Sequence, residues 1–320
     1  MQNALGAARV FSIPMRTRFR GVTHREGVLF EGPAGWAEWS PFIEYEDAEA
    51  AVWLQAAVEF AFETPDLKRT QIGVNATLPA VPASDVLATL EPFGTFRTVK
   101  IKVAEAGQTI AEDLERIVAV RDAFPGARIR LDANGGYTLE QALELGESLN
   151  KLGIALDYLE QPVKTIGELA EARTKLSRLG IQVAADESVR KVSDPLAVAH
   201  AAAADLLVVK AAPLGGINRA LEVIAESGLP AVISSALETS VGISMGLHLA
   251  AALPELNYDC GLGTVALLKR DVTDEPLIAE NGMLQVRRVV PREAKLDALV
   301  ANEERSKWWL DRLERCSSLI

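Results

Sequence analysis

The sequence holds only two cysteines, Cys260 and Cys316, and only three histidines, His24, His200 and His248. So few thiols exclude a disulfide-built secreted scaffold and point to a reduced, cytoplasmic setting. The histidines show no metal-ligand spacing, so no chemistry is assigned to them. No apolar run of about 20 residues is present, and no segment is read as a membrane span. The opening MQNALGAARVFSIPM lacks the basic region and long apolar stretch of a secretory leader. Basic residues number 33 against 44 acidic ones and form no cluster, which argues against a nucleic-acid backbone as partner. A small anion stays compatible, because a few buried lysines override a negative surface locally. No GxGxxG or Walker sequence follows an early strand-like run, which disfavours a doubly wound nucleotide-binding sheet.

What is present is a repeat. From residue 70 onward the runs QIGVNATL, TVKIKVA, RIRLDAN, ALDYLEQP, QVAADES, DLLVVKAAP, LPAVISSA and NYDCGLGT alternate with helical patterns such as IAEDLERIVAVRDAF and LEQALELGESLNKLG. Seven or eight βα units in about 200 residues predict an α/β fold closed into a (β/α) barrel. Residues 1–45 read as strands with turns and 46–64 as an alanine-rich helix, which makes a small α+β unit. The 320 residues accommodate that unit beside a barrel. The tail from Glu293 carries Trp308 and Trp309, which pack back onto the body.

In such a barrel the strand C-termini open onto one face, and polar residues there converge. RIRLDAN ends in Asp132, the next strand in Glu160, and QVAADES in Asp186. Each alone fits a helix cap or an ion pair. Three gathered at one mouth repel one another unless a cation joins them, and a hard divalent ion such as Mg2+, or Mn2+ in its place, suits three carboxylates. Lys100 and Lys102 in KIK lie on the strand before this set, and Lys210 ends the strand after it. Two lysines at i and i+2 share one strand face, which reads either as the wet side of an edge strand or as part of the mouth. Lysines on both flanks of a cation suit removal of a proton α to a carboxylate, a weak acid that needs its enediolate stabilised as it forms. Two other classes stay open: a metal-binding barrel without catalysis, which has no need of flanking lysines, and a Schiff-base lyase using Lys210 without the carboxylates.

With these residues the chain resembles the enolase superfamily, in the branch with a lysine on either side of the metal. Muconate cycloisomerases, dipeptide epimerases, N-succinylamino acid racemases and o-succinylbenzoate synthases belong to that branch. The resemblance implies a modified barrel of (β/α)7β type over residues 71–265. It also implies an α+β capping domain built from residues 1–70 together with part of a C-terminal segment, 266–320. It assigns the metal to Asp132, Glu160 and Asp186, proton abstraction to Lys102, and the opposite face of the substrate to Lys210. SSALETSVG (234–242) and DCGLGT (259–264) are similar to the o-succinylbenzoate synthase family. That likeness implies Mg2+-dependent dehydration of a small anionic carboxylate in menaquinone biosynthesis, while racemase chemistry with both lysines stays open. Lys100, Arg130 and Asn134 in the same mouth read equally as substrate contacts or as ion-pair partners of the carboxylates; the hydroxyls of Ser234 and Ser235 and the backbone at Gly261 and Gly263 read as substrate contacts, or the glycines as turn-formers alone. Arg18 or Arg20 in the loop MRTRFRG is placed to reach an anionic substrate. Glu187 is expected to turn away from the barrel axis into an ion pair. Nothing in the sequence sets an oligomeric state.

Overall fold

The computed structural model describes residues 5–19, 21–190 and 194–320. Three N-terminal strands, β1 (Arg9–Phe19), β2 (Val22–Gly32) and β3 (Gly35–Trp39), form an antiparallel sheet in that order. Helix Asp47–Phe62 lies against it, where the Trp39 indole N–H donates to Ala50 O and the Ala34 N–H to Ala61 O. The run QIGVNATL divides. Its first half, β4 (Gln71–Gly73), pairs antiparallel with a strand of the tail, Met283–Gln285, and only its second half, β5 (Ala76–Leu78), enters the barrel sheet. The break falls where Val74 donates its N–H to Gly282 of the tail, so the two halves serve different partners.

Six parallel strands continue from β5 in chain order: β6 (Thr98–Lys102), β7 (Arg128–Asp132), β8 (Leu156–Glu160), β9 (Val183–Ala185), β10 (Leu206–Val209) and β11 (Ala231–Ile233). The segment around Cys260 joins the two edges of this sheet. Cys260 N–H donates to Gly73 O at 2.7 Å, Asn75 N–H to Cys260 O at 2.9 Å, and Gly261 N–H to Ile233 O at 2.8 Å. Val74 and Ser234 therefore bridge in parallel to Cys260 and Gly261, and the barrel closes as (β/α)7β. The helices after β6, β7 and β8 each begin with a threonine capping box, Thr109 with Glu112, Thr138 with Gln141 and Thr165 with Glu168. Those boxes satisfy the first free N–H groups of each helix and fix where the chain leaves the strand.

The register decides what meets at the mouth. Lys102 pairs with Asp132 and Asp132 with Glu160, so three of the candidate site residues share one rung. Lys100 and Lys102 are only 7% and 8% exposed, which rules out the wet-edge reading of KIK. The C-terminal helix Glu303–Ser317 docks on the N-terminal sheet as expected from its tryptophans. Trp309 is fully buried, lies edge-on to Trp39 at 5.5 Å, and its indole N–H donates to Glu26.

The N-terminal sheet meets the barrel over a buried carboxyl pair. Glu38 on β3 accepts from the Thr239 hydroxyl and the N–H groups of Thr239 and Gly242, and from Ser40. Burial, reinforced by the charge of Glu238 and opposed by the Ser40 and Thr239 hydrogen bonds and by Arg25, pushes Glu38 up to about 7. The folded state thus holds a proton on Glu38 that the unfolded chain releases near its ordinary carboxylate value. Stability from this group is complete below about pH 4.5 and is lost as pH rises toward about 7. Glu38→Gln is expected to remove that loss. Melting temperatures at pH 5 and pH 8 check it: the variant should gain on the native protein at the higher pH and not at the lower.

Candidate active site

At the C-terminal ends of the barrel strands a small cavity of about 40 Å3 lies between the barrel and the N-terminal sheet. Lys100, Lys102, Asp132, Asn134, Asp186 and Lys210 face it from β6, β7 and the segments that end or follow β9 and β10. Ser234, Ser235 and Gly261 close the opposite wall. A larger groove of about 560 Å3 sits at the other end of the barrel among residues such as Leu221, Leu229 and Leu253, and none of the expected site residues lines it.

Each carboxylate is held by a lysine. Lys102 Nζ donates to Asp132 Oδ2 at 2.6 Å and also to Asn134 Oδ1. Lys100 Nζ lies 3.1 Å from Asp132 and 3.0 Å from Glu160. Lys210 Nζ donates to both oxygens of Asp186 at 2.6 Å. Among the described residues no three His, Cys, Asp or Glu side chains are grouped as a ready-made metal cage. The charges still act on one another. Burial and then the Asp132 charge push Glu160 up to about 7, against Lys100, with Asp186 adding to the rise. Asp132 resists its own burial and is held well below the carboxylate range by Lys102 and Lys100. Burial opposes the Lys100 ammonium, yet Glu160 and Asp132 raise it well above its ordinary value. Three mutually repelling buried carboxylates on adjacent strands are a donor set that a hard divalent cation fits, with oxygen ligands only.

Backbone conformation sharpens the mouth. Ala104, Asn134 and Gln161 all have positive φ, and each follows within two residues of Lys102, Asp132 or Glu160. Such left-handed residues outside glycine are rare and gather where surroundings enforce them. Gln161 shows the enforcement: its buried side chain accepts from the N–H groups of Asp186 and Ser188 and donates to Val163 O and Ser188 Oγ. A Cβ at Gly261 would stand 2.7 Å from Ser234 Oγ, so a larger residue there would displace that hydroxyl. Ser235 Oγ bonds Gly261 O and Thr264 Oγ1, both at 2.8 Å.

Three expected residues do not line the cavity. Glu160 is fully buried outside the lining, where both its oxygens accept from Lys100. Arg130 is fully buried inside the barrel, where it bonds Asp157, Asn75 and the Asp259 carbonyl and lies over Tyr158. It stands two residues before Asp132, one strand layer down, and its partners pull it away from the mouth. Gly263 packs against Asn75 and Phe93 outside the cavity lining. Arg20 lies outside the described residues. Glu187 does not simply turn away: it accepts from the Asn134 side chain at 3.2 Å. Sequence reasoning missed Phe19, Phe42 and Thr77, which also line the cavity. Thr77 stands one residue before the end of the first barrel run and was findable by the strand-end rule. Phe19 and Phe42 come from the N-terminal sheet and its exit, and only the packing of two units brings them here.

Enolase C-terminal domain-like proteins match residues 85–291, and Enolase N-terminal domain-like proteins match residues 10–61. The o-succinylbenzoate synthase of Mycobacterium marinum is 48% identical over 100% of this chain and 96% of its own length. That of Mycobacterium tuberculosis is 49% identical over 97% of this chain and 94% of its own. Among solved structures, muconate lactonizing enzyme from Pseudomonas fluorescens superposes with a TM-score of 0.77 at 18% identity, covering 92% of this chain and 98% of that one. The L-Ala-D/L-Glu epimerase from Bacillus subtilis gives 0.74 at 22% identity, covering 87% and 94%.

Proposed function

The chain belongs to the enolase superfamily, and on that premise we propose that it is a Mg2+-dependent o-succinylbenzoate synthase acting in menaquinone biosynthesis. Its substrate on this reading is 2-succinyl-6-hydroxycyclohexa-2,4-diene-1-carboxylate and its product 2-succinylbenzoate. The observation that carries the reading is the full-length identity of 48% to a relative of that name, joined to a cavity with a lysine on either flank of three carboxylate-ended strands. Lys102 removes the proton on the ring carbon that bears the carboxylate. The electron pair left behind expels the 6-hydroxyl, which departs as water with the proton that Lys102 returns to it. Lys210, whose ammonium faces the cavity from the other flank, balances negative charge on the opposite face of the substrate. Asp132, Glu160 and Asp186 would hold a divalent cation, which supplies the positive charge that stabilises the enediolate of the substrate carboxylate. The Ser234 and Ser235 hydroxyls and the backbone at Gly261 bind the succinyl group, and Phe19 and Phe42 shut out water from above.

Racemase chemistry is the second reading, because both lysines face one cavity. The two are separated by assaying the purified protein with the cyclohexadiene substrate and with N-succinylamino acids. Lys210→Arg keeps a cation without a usable base. It is expected to retain at least about a tenth of the dehydration rate and to lose racemisation by about 100-fold or more. Loss of both activities in equal measure would sink the one-base assignment.

A further inference from the structure

Lys102 is the last residue of β6, and its backbone carbonyl projects past the end of the ladder, where the neighbouring strand offers it no donor. Arg116, on the helix Ile110–Ala123 that follows, takes that carbonyl through Nη1 at 2.9 Å. The same guanidinium donates to Val81 O, to Gln108 Oε1 and to Asp113 Oδ1 at 2.8 Å. Asp113 in turn uses its second oxygen to accept the Ala104 N–H at 3.0 Å and the Tyr137 hydroxyl. Asp113 and Arg116 are each 1% exposed. The two ends of the ion pair therefore grip the chain on either side of Val103, at Lys102 O and at Ala104 N–H. Ala104 itself stands at φ 59, a conformation that an ungripped alanine rarely holds. From the other side Gly136 presses on it, where a Cβ would come within 2.6 Å of Ala104 O.

We propose that Asp113 and Arg116 are positioning residues for the reaction, a buried clamp that sets the direction in which Lys102 leaves the strand. Resting on the assignment of Lys102 as base, the inference adds what aims it. A buried ion pair contributes little net stability against an apolar pair of the same volume, so fold stability alone is a weak reason for this one. Its bonds go to the backbone flanking one functional lysine, and neither member touches Asp186 or Lys210. A base misplaced by about 1 Å loses on the order of 100-fold in rate.

The clamp therefore acts on one face of the substrate. Asp113→Asn keeps an acceptor for Ala104 and weakens the grip on Arg116; Arg116→Lys keeps the charge and loses the multiple reach. In heavy water, α-proton exchange of the N-succinylamino acid enantiomer presented to Lys102 is expected to slow by about 100-fold in Arg116→Lys, with exchange of the other enantiomer within about threefold of native. Equal slowing of both enantiomers, or no slowing, overturns the proposal. A second measurement needs no turnover: acetic anhydride labelling of the folded protein, read lysine by lysine by mass spectrometry. The ratio of Lys102 to Lys210 labelling should rise about 5- to 30-fold in either variant, the factor carried by the loss of one or two charge-assisted hydrogen bonds. An unchanged ratio overturns the clamp. If the native protein neither dehydrates nor exchanges, the functional reading fails while the labelling ratio still decides the positioning. Should both variants fail to melt cooperatively, Tyr137→Phe, which removes one donor from Asp113, decides by the same ratio: a rise of about two- to threefold supports the clamp and no change overturns it.

Discussion

Lys102→Ala is expected to lower the dehydration rate by at least about 1,000-fold, the upper part of the range for losing a general base. The side chain ends the buried strand β6, lines the cavity, and is fixed there by Asp132 and Asn134 with the Phe19 ring 5.4 Å from its ammonium. Alanine removes the base without taking a backbone hydrogen bond from the ladder, so the fold should survive. Substrate affinity should change by no more than about tenfold, because the proposed cation ligands and Ser234, Ser235 and Gly261 stay in place. The loss should therefore appear in kcat rather than KM. Steady-state kinetics with the cyclohexadiene substrate, with circular dichroism to confirm folding, make the measurement. A folded variant that keeps a tenth of native turnover would place the base elsewhere and remove KIK from the mechanism.

That lysine was legible because strand geometry carries information along one strand and register carries it across several. The period of two put Lys100 and Lys102 on one face, and the rule that barrel strands end at one mouth gathered Asp132, Glu160, Asp186 and Lys210. The same period misplaced Arg130. It shares the face of Asp132, but a side chain that long reaches up or down a layer according to its partners, and Asp157 and the Asp259 carbonyl lie below. Lys100, on the same rung as Arg130, reaches upward instead to Glu160 and Asp132. Partners on other strands decided both cases. The division of QIGVNATL had the same cause, since its first half is claimed by a tail strand more than 200 residues away in sequence. Phe19 and Phe42 were hidden for a related reason: they are apolar, and nothing local separates a phenylalanine that roofs a cavity from one that fills a core.

Glu160→Gln isolates the cation from the rest of the machinery. The residue is fully buried, accepts from Lys100, and feels the charges of Asp132 and Asp186. As a glutamine it still offers an oxygen to Lys100 and has nearly the same shape, but one of three repelling charges is gone. Without added metal the variant should therefore melt no lower than the native protein, and higher above pH 7, where the native carboxylate ionises at a cost. Adding Mg2+ should reverse the order. Native protein gains stability by RT ln(1 + [Mg2+]/Kd), whereas a site with one neutral ligand binds weakly and gains little. Turnover of the variant should fall by about 1,000-fold or more, and chelation should bring the native enzyme to the same level until Mg2+ or Mn2+ is restored. Thermal melts with and without Mg2+, beside activity before and after chelation, give four readings that must agree. Full turnover of metal-free native protein, or an equal Mg2+-induced shift in both proteins, would show that these three strand ends hold no catalytic cation. Asp132, Glu160 and Asp186 would then be ion-pair partners of the lysines and nothing more.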